Sequence, residues 1–167
     1  PPGTGDIQLS LAQKAKLTGV IIVTTPQSLA VEIARKSLQM FQKVNVPILG
    51  VIENMSSYTC EHCHQQSAIF NEGGGKQMAQ KDNIKLLAQI PLDSDILMHA
   101  GNGSSIVSKL PNSLASKSFM SAAQDLNDAL QAKADNISSE LEPRQVIYNK
   151  DLNQLELSWQ DKKALQI

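Results

Sequence analysis

The chain has 167 residues, of which 41% are hydrophobic and 19% charged, and its net charge is −1. This composition predicts a globular fold with a buried core and argues against a disordered chain. The near-neutral charge argues against nucleic acid or an anionic membrane surface as a partner, because both favour a basic face. The longest strictly apolar run, residues 20–23, is too short for the ~20 residues that span a bilayer. Because the chain does not begin with Met, we expect it to be a piece of a longer protein.

Apolar and amphipathic segments alternate along the first half of the chain. The β-branched run 19–24 predicts a buried strand, and residues 27–43 predict a helix with one apolar face. A second strand is predicted at 48–53, followed by a loop from 54 to about 75 that holds both cysteines.

The pattern continues with a short helix at 76–83, a strand at 86–90 closed by Pro91, a short helix at 93–100 and a longer helix at 114–134. Apolar strands that alternate with helices predict a parallel, helix-covered α/β sheet. Functional groups in such sheets gather at the carboxyl ends of the strands. We therefore expect them near residues 24–26, 53–54 and 91–93.

The composition changes after residue 134. Residues 135–143 are polar and predict a linker, and the alternating runs 145–150 and 154–159 predict an antiparallel hairpin. Residues 161–167 could begin a third strand. The predicted organisation is a domain at 1–134, a linker at 135–143 and the start of a truncated β-rich domain at 144–167.

The first six residues, Pro-Pro-Gly-Thr-Gly-Asp, resemble the phosphate loop G-x-x-x-x-G-K-[ST] of many ATPases up to the position of its Lys. Asp6 and Ile7 occupy the positions of that Lys and of the Ser or Thr that binds magnesium, so we reject that interpretation. We interpret the segment as the turn after a strand, where a Gly amide can meet a γ-phosphate and a carboxylate can organise water or metal. An ordinary turn capped by Asp6 explains the residues equally well.

Cys60 and Cys63 form a Cys-x-x-Cys motif, which brings two thiolates to one soft metal. A closed zinc site needs two more ligands, and the chain has no other cysteine. His62 and His64 are too close in sequence to complete a tetrahedron easily. Four interpretations stay open: a four-cysteine site shared across a two-fold axis, a zinc site completed by imidazole, a redox pair, or incidental thiols.

Residues 73–76, Gly-Gly-Gly-Lys, allow two interpretations. The run could be a phosphate cradle, or a glycine-rich hinge that leads into a helix. We favour the hinge, because no strand immediately precedes the run.

Seven short matches, in family order and spacing over roughly residues 1–130, resemble the Mrp/ApbC family of iron–sulfur cluster carrier ATPases, which are related to MinD-like P-loop proteins. The matches are Pro-Pro-Gly-Thr-Gly-Asp at 1–6, Thr-Thr-Pro-Gln at 24–27, Lys-Val-Asn-Val-Pro at 43–47, Glu-Asn-Met-Ser at 53–56, Cys-x-x-Cys at 60–63, Gly-Gly-Gly at 73–75 and Ile-Pro-Leu-Asp at 90–93. The resemblance implies a P-loop NTPase-like parallel sheet with helices on both faces, whose N-terminal part precedes residue 1.

The resemblance also implies a homodimer that holds a [4Fe–4S] cluster between its subunits and passes it to apo-proteins. Cys60 and Cys63 match the cluster ligands, and soft thiolates do select iron–sulfur clusters. Around them this chain departs from the Cys-Pro-x-Cys-Gly that is common in the family. His62 or His64 could therefore tune the cluster or serve as a ligand.

The resemblance further implies binding of ATP with Mg²⁺. Gly3 and Asp6, the latter our candidate catalytic residue, match the segment that senses the γ-phosphate. Asn54 matches the position that reads the adenine edge, and Pro91 and Asp93 match positions near the nucleotide. The family's Lys-bearing Walker A loop and its Walker B Asp would both precede residue 1. We therefore expect ATPase activity in the full-length protein and none in this chain alone.

Pro-Arg-Gln-Val-Ile at 143–147 and Leu-Glu-Leu-Ser-Trp-Gln-Asp at 155–161 resemble the start of the small β-rich domain at the N-terminus of gamma-butyrobetaine hydroxylase. An Mrp-type domain followed by that module is similar to the plastid scaffolds that supply [4Fe–4S] clusters to photosystem I. This predicts the plastid stroma, with the cytoplasm or the mitochondrion as alternatives. Two alternative functions are a MinD-like positioning ATPase without a cluster and a structural zinc module.

Overall fold

The computed structural model describes residues 5–15, 17–60, 62–63, 65–140, 145–149 and 154–158. The chain divides into two compact units, residues 1–126 and 127–167. Gly3, His64 and the possible third strand at 161–167 lie outside the described residues. Within the described part, no helix is both long enough and apolar enough to cross a membrane.

The described residues of the two units form six helices and six strands. The helices are α1 (Asp6–Lys14), α2 (Ser28–Lys43), α3 (Gly74–Lys81), α4 (Ser94–Gly101), α5 (Ile106–Lys109) and α6 (Leu114–Glu140). The strands are β1 (Val20–Thr24), β2 (Ile48–Thr59), β3 (Gln66–Ser67), β4 (Leu86–Leu92), β5 (Gln145–Asn149) and β6 (Gln154–Ser158).

The main sheet is built around β2, which pairs in parallel with β1 on one side and with β4 on the other. The short β3 pairs antiparallel with the far end of β2. An ion pair of 2.8 Å between Lys85 and Asp125 joins α6 to the residue before β4. The parallel α/β fold with helices on the sheet, predicted from the sequence, is confirmed.

The core lies where α2 and α3 pack on the sheet. Leu38 of α2 and Val51 of β2 have no exposed surface, and Ile22 of β1 and Met78 of α3 are almost fully buried beside them. Each such side chain contributes about 1.5–3 kcal/mol when it leaves water. This packing fixes the strand ends that carry the candidate site.

The strand β2 is longer than predicted. We expected a loop from Asn54 onwards, which is wrong for residues 54–59, because the strand runs on to Thr59. Met55 adopts a positive φ of 56°, and the register with β4 shifts between Asn54 and Tyr58. A local irregularity of this kind bends a strand without ending it.

Two further strand and helix ends differ from expectation. Pro91 was expected to close β4, but β4 continues to Leu92. Proline is tolerated at an edge strand, and β4 is one within the described residues, because β2 is its one neighbour there.

Helix α6 ends at Glu140 rather than at residue 134, so it extends into the predicted linker. Adding residues to an existing helix is far easier than starting one.

The sequence predicted a turn around Asp6 but no helix after it, whereas α1 begins there. Asp6 in the first turn of α1 and Lys14 in its last turn are favourably placed in the field of the helix dipole.

In the second unit, β5 and β6 pair antiparallel, with Gln145 opposite Ser158 and Asn149 opposite Gln154. The predicted hairpin is therefore confirmed over its described residues.

Candidate functional site

The residues predicted to end the three parallel strands lie side by side in the sheet, although β2 runs on beyond them to Thr59. Thr24 of β1 pairs with Glu53 of β2, and Asn54 pairs with Ile90 of β4. Asp93 follows β4 directly. This strand edge thus brings the ends of β1 and β4 beside Glu53 and Asn54 of β2, and ligands of open α/β sheets bind at the carboxyl ends of strands.

Asn54 is half-buried and lines a cavity of about 640 Å³. Gln8 of α1 and Thr25 line the same cavity, whose remaining walls are mainly aliphatic residues of β1 and α2. The Asn54 Oδ1 accepts a hydrogen bond of 3.0 Å from the Met55 backbone N–H. Its amide NH₂ is a donor group of the kind that fixes a ligand's orientation in an apolar cavity.

The two predicted carboxylates that the structure describes lie at helix starts. Asp93 is the N-cap of α4, where its side chain accepts a hydrogen bond of 2.9 Å from the Asp95 N–H. Such a cap stabilises a helix by about 0.5–2 kcal/mol. Asp6 is exposed in the first turn of α1. The structure therefore gives Asp93 a capping role, while a role of either carboxylate towards a nucleotide stays a prediction.

Both cysteines lie at the end of a two-stranded ribbon that β2 and β3 form. Thr59 pairs with Gln66, and the Cys60 N–H donates to the Gln65 carbonyl at 3.0 Å. Cys60 is half-buried, Cys63 is exposed, and both are thiols rather than a disulfide. The ribbon thus carries both thiols at its tip, with Cys63 exposed to solvent.

The ribbon tip supplies two soft metal ligands, the thiols of Cys60 and Cys63. The whole chain contains two cysteines. Within the described part, no group of three or more His, Cys, Asp and Glu side chains is close enough to hold a metal ion. His62, which the structure describes, is exposed beside Cys63. Two such tips from two chains would together supply four thiolates.

Glu53 is a functional candidate that the sequence reasoning placed at the strand edge without a role. It is fully buried at 0% exposure. Its Oε2 accepts hydrogen bonds from the Gly75 and Lys76 N–H groups, and its Oε1 accepts one of 2.7 Å from the Gln89 amide. A Glu at the end of an apolar strand, followed by a Gly-Gly-Gly run, was the available signal.

The glycines at 73–75 allow α3 to approach the sheet closely. Gly73 is the N-cap and has a φ of 67°, a left-handed conformation that glycine adopts without strain. A Cβ on Gly75 would lie 2.9 Å from the Thr24 Cγ2. Since Glu53 takes the N–H groups of Gly75 and Lys76, a protein carboxylate occupies the amides that a phosphate cradle would need.

Two solved structures have a similar fold. A nucleotide-binding protein from Archaeoglobus fulgidus, solved in complex with ADP, is 39% identical, with a TM-score of 0.52 over 59% of this chain and 40% of its own. The cell division ATPase MinD of Pyrococcus furiosus is 21% identical, with a TM-score of 0.54 over 66% of this chain and 43% of its own. The second likeness concerns the fold alone.

Curated relatives are described by their iron–sulfur role. An iron-sulfur protein required for NADH dehydrogenase, mitochondrial, from Arabidopsis thaliana is 41% identical over 85% of this chain. An iron-sulfur cluster carrier protein from Haemophilus influenzae is 43% identical over 84% of this chain. The chain spans less than half of the length of these relatives, 45% of the first and 38% of the second.

Residues 1–127 match the ParA-type family described as NUBPL iron-transfer P-loop NTPase. The match includes the strand edge with Asn54 and the ribbon tip with Cys60 and Cys63. It agrees with the parallel sheet and with the resemblance found in the sequence motifs. The chain belongs to the NUBPL iron-transfer P-loop NTPase family.

Proposed function

We propose that this chain is part of an ATP-dependent carrier that binds a [4Fe–4S] cluster and delivers it to apo-proteins. The observation that carries the proposal is the pair of thiols, the half-buried Cys60 and the exposed Cys63, at the tip of a ribbon that continues directly from the strand edge. The names of the relatives, several of which are iron-sulfur cluster carrier proteins, support it.

The cluster is the cargo of this carrier. Its irons prefer thiolate ligands, and a [4Fe–4S] cluster takes four. Because each chain has two cysteines, we propose a homodimer in which two ribbon tips share one cluster. The exposure of Cys63 favours transfer, since a recipient's thiolates can approach a ligand that lies at the surface.

ATP with Mg²⁺ is proposed to bind along the strand edge. Asn54 would read the adenine edge, Gly3 and Asp6 would sense the γ-phosphate, and Asp93 would lie near the nucleotide. The cavity beside Asn54 supports this, because an amide that can donate and accept suits a heteroaromatic edge. Hydrolysis by the full-length protein would switch the dimer between holding and releasing the cluster, whereas this chain alone is expected to be inactive.

The domain organisation and the compartment also belong to the proposal. We propose the carrier domain at 1–134, the connecting segment at 135–143 and the start of a β-rich domain at 144–167. The plastid-scaffold assignment stays a prediction from the tail. The mitochondrial relative from Arabidopsis thaliana supports the mitochondrion, one of the two alternatives to the plastid.

Anaerobic reconstitution of the full-length protein with iron and sulfide tests the proposal. We expect about four irons and four sulfides per dimer. The matched variant His62→Gln removes the one imidazole described near the tip and should leave those numbers unchanged, because it keeps both thiols. Zinc bound at one per chain, lost in His62→Gln, would replace the carrier by a structural zinc module. ATPase activity without any metal would favour a MinD-like positioning ATPase.

A further inference from the structure

Glu53 is a carboxyl side chain with no exposed surface. It lies two residues after the core residue Val51 on β2, and it pairs with the buried Thr24 of β1. Burying a carboxylate is costly unless donors surround it. Here three N–H groups, from Gly75, Lys76 and Gln89, point at its two oxygens. Both oxygens are therefore hydrogen-bonded.

The donors of α3 lie at the far end of the segment that carries the cysteines. The chain leaves Glu53, runs out along β2 to Cys60, turns, and returns to the sheet at Gly74, where α3 begins. We call residues 54–74 the cysteine excursion. The N–H groups that reach Glu53 belong to the first residues after the excursion. One carboxylate thus joins the residue before the excursion to the residues after it.

We propose that Glu53 is a positioning residue for the cluster site: its carboxylate closes the base of the cysteine excursion and so fixes where Cys60 and Cys63 are presented. The inference rests on the proposed cluster function. Closing a segment at its base removes conformational freedom that would otherwise be lost on binding. Four thiolates from two chains must meet at one cluster, so a mobile tip would release the cluster faster. Glu53 acts through the backbone and does not touch the cluster.

The helix side of this closure depends on Gly75. A Cβ there would lie 2.9 Å from the Thr24 Cγ2 and 3.0 Å from the Glu53 Oε2. Thr24 is a buried, β-branched side chain that has little room to move. Gly75→Ala therefore forces α3 away from the carboxylate. Gly101 is the matched control, because a Cβ there meets nothing within 4 Å.

Two substitutions of Glu53 distinguish the effect of its side-chain length, which closes the excursion, from the effect of its charge. Glu53→Asp keeps the charge but withdraws the oxygens by about one C–C bond, ~1.5 Å, so it cannot keep its hydrogen bonds to α3. Glu53→Gln keeps the length. Its oxygen can still accept from the Gly75 and Lys76 N–H groups, and its NH₂ can donate to the Gln89 amide after that amide turns over. If Glu53 acts by closing the base of the excursion, Glu53→Asp is the more damaging variant. If only its charge matters, Glu53→Gln is the more damaging one.

The experiment measures two quantities on the full-length protein. The first is the rate at which the reconstituted cluster is lost to an iron chelator, and the second is hydrogen exchange in residues 54–76 compared with 86–92. For Glu53→Asp and Gly75→Ala we expect cluster loss to be about tenfold faster, as for one lost hydrogen bond to a charged group. Exchange should rise in 54–76 and stay unchanged in 86–92. Glu53→Gln should stay within about threefold of the wild type on both measures.

Ser116→Ala controls for general loss of stability. Ser116 is also fully buried and donates to the Leu110 and Ile106 carbonyls, but it lies on α6. The inference is overturned if Glu53→Asp and Gly75→Ala behave like Ser116→Ala and Gly101→Ala on both measures. It is also overturned if Glu53→Gln is the more damaging Glu53 variant. If Glu53→Asp does not fold, the two measurements on Gly75→Ala decide whether the inference holds.

Failure of the proposed function would look different. A wild-type protein that takes up no cluster contradicts the carrier proposal, while hydrogen exchange in the variants still shows whether Glu53 closes the excursion. A wild-type protein that holds its cluster, with unchanged cluster loss in Glu53→Asp and Gly75→Ala, leaves the carrier intact and removes the positioning role.

Discussion

The inner and outer parts of β2 differ in what surrounds them. The inner part, residues 48–54, lies between β1 and β4 and contains Val51 and Glu53, both at 0% exposure. The outer part pairs with β3 and leads to the half-buried Cys60 and the exposed Cys63. One continuous strand therefore gives the thiols a rigid base while it leaves them accessible.

This contrast predicts that stability and cluster binding can be damaged separately. Substitutions in the inner part should lower the free energy of unfolding, and substitutions at the ribbon tip should lower the cluster content. Substitutions at Asn54, where the inner part meets the outer part, should affect the nucleotide that is proposed to bind at the strand edge.

The largest expected effect comes from the tip. Cys60→Ser and Cys63→Ser should each abolish stable cluster binding, because oxygen is a poor ligand for this soft site. The free energy of unfolding should change by only about 0.5 kcal/mol, as for most surface substitutions. Iron content per dimer and urea unfolding measure the two quantities. A variant with wild-type iron content would refute the role of the cysteines.

The core around the inner part is tested by Leu38→Ala, because Leu38 of α2 belongs to the same buried cluster as Val51. Leu38 has no exposed surface, and truncation of such a residue costs about 2–5 kcal/mol. Leu97→Ala is the matched control, since Leu97 is 78% exposed on α4 and should cost about 0.5 kcal/mol or less. Urea unfolding of the cluster-free protein measures both. Equal losses in the two variants would contradict the assignment of the core.

The junction is tested by Asn54→Ala. Loss of the side-chain amide should weaken ADP binding by about tenfold, which corresponds to ~1.4 kcal/mol and to one or two hydrogen bonds. The cluster content should stay at the wild-type level, since the thiols are untouched. Calorimetric titration of the full-length protein with ADP gives the affinity. An unchanged ADP affinity would remove Asn54 from the nucleotide site.

The smallest effect is expected at the protein surface, where α2 meets the end of α3. Arg35 of α2 and Asp82, just after α3, form an ion pair of 3.1 Å, with 45% and 16% of their side chains exposed. Arg35→Gln should cost about 0.2–1 kcal/mol, and the cost should shrink at high salt. Unfolding at low and high salt measures it. A larger, salt-independent loss would show that Arg35 stabilises the fold by packing instead.

The inner strands could be predicted because their side chains are nearly all apolar. The β-branched run of β1 and the runs of β2 and β4 are typical of strands buried on both faces. Their order along the chain, with helices between them, then predicts a parallel sheet and the edge where Thr24, Glu53 and Asn54 lie. These predictions depend on local composition, and local composition was sufficient.

The outer part of β2 could not be predicted in the same way. Residues 55–59, Met-Ser-Ser-Tyr-Thr, are mostly polar, and their strand depends on pairing with Ser67 and Leu92. The role of Glu53 likewise depends on N–H groups more than twenty residues away in the sequence. Pairings between distant residues leave no periodic signal.

The central claim is that two ribbon tips share one cluster, and native mass spectrometry of the anaerobically reconstituted full-length protein tests it most directly. The account predicts a dimer that carries the mass of a single four-iron, four-sulfide cluster, together with cluster-free monomer when Cys60→Ser is used. A cluster or a zinc ion carried by the monomer would contradict it.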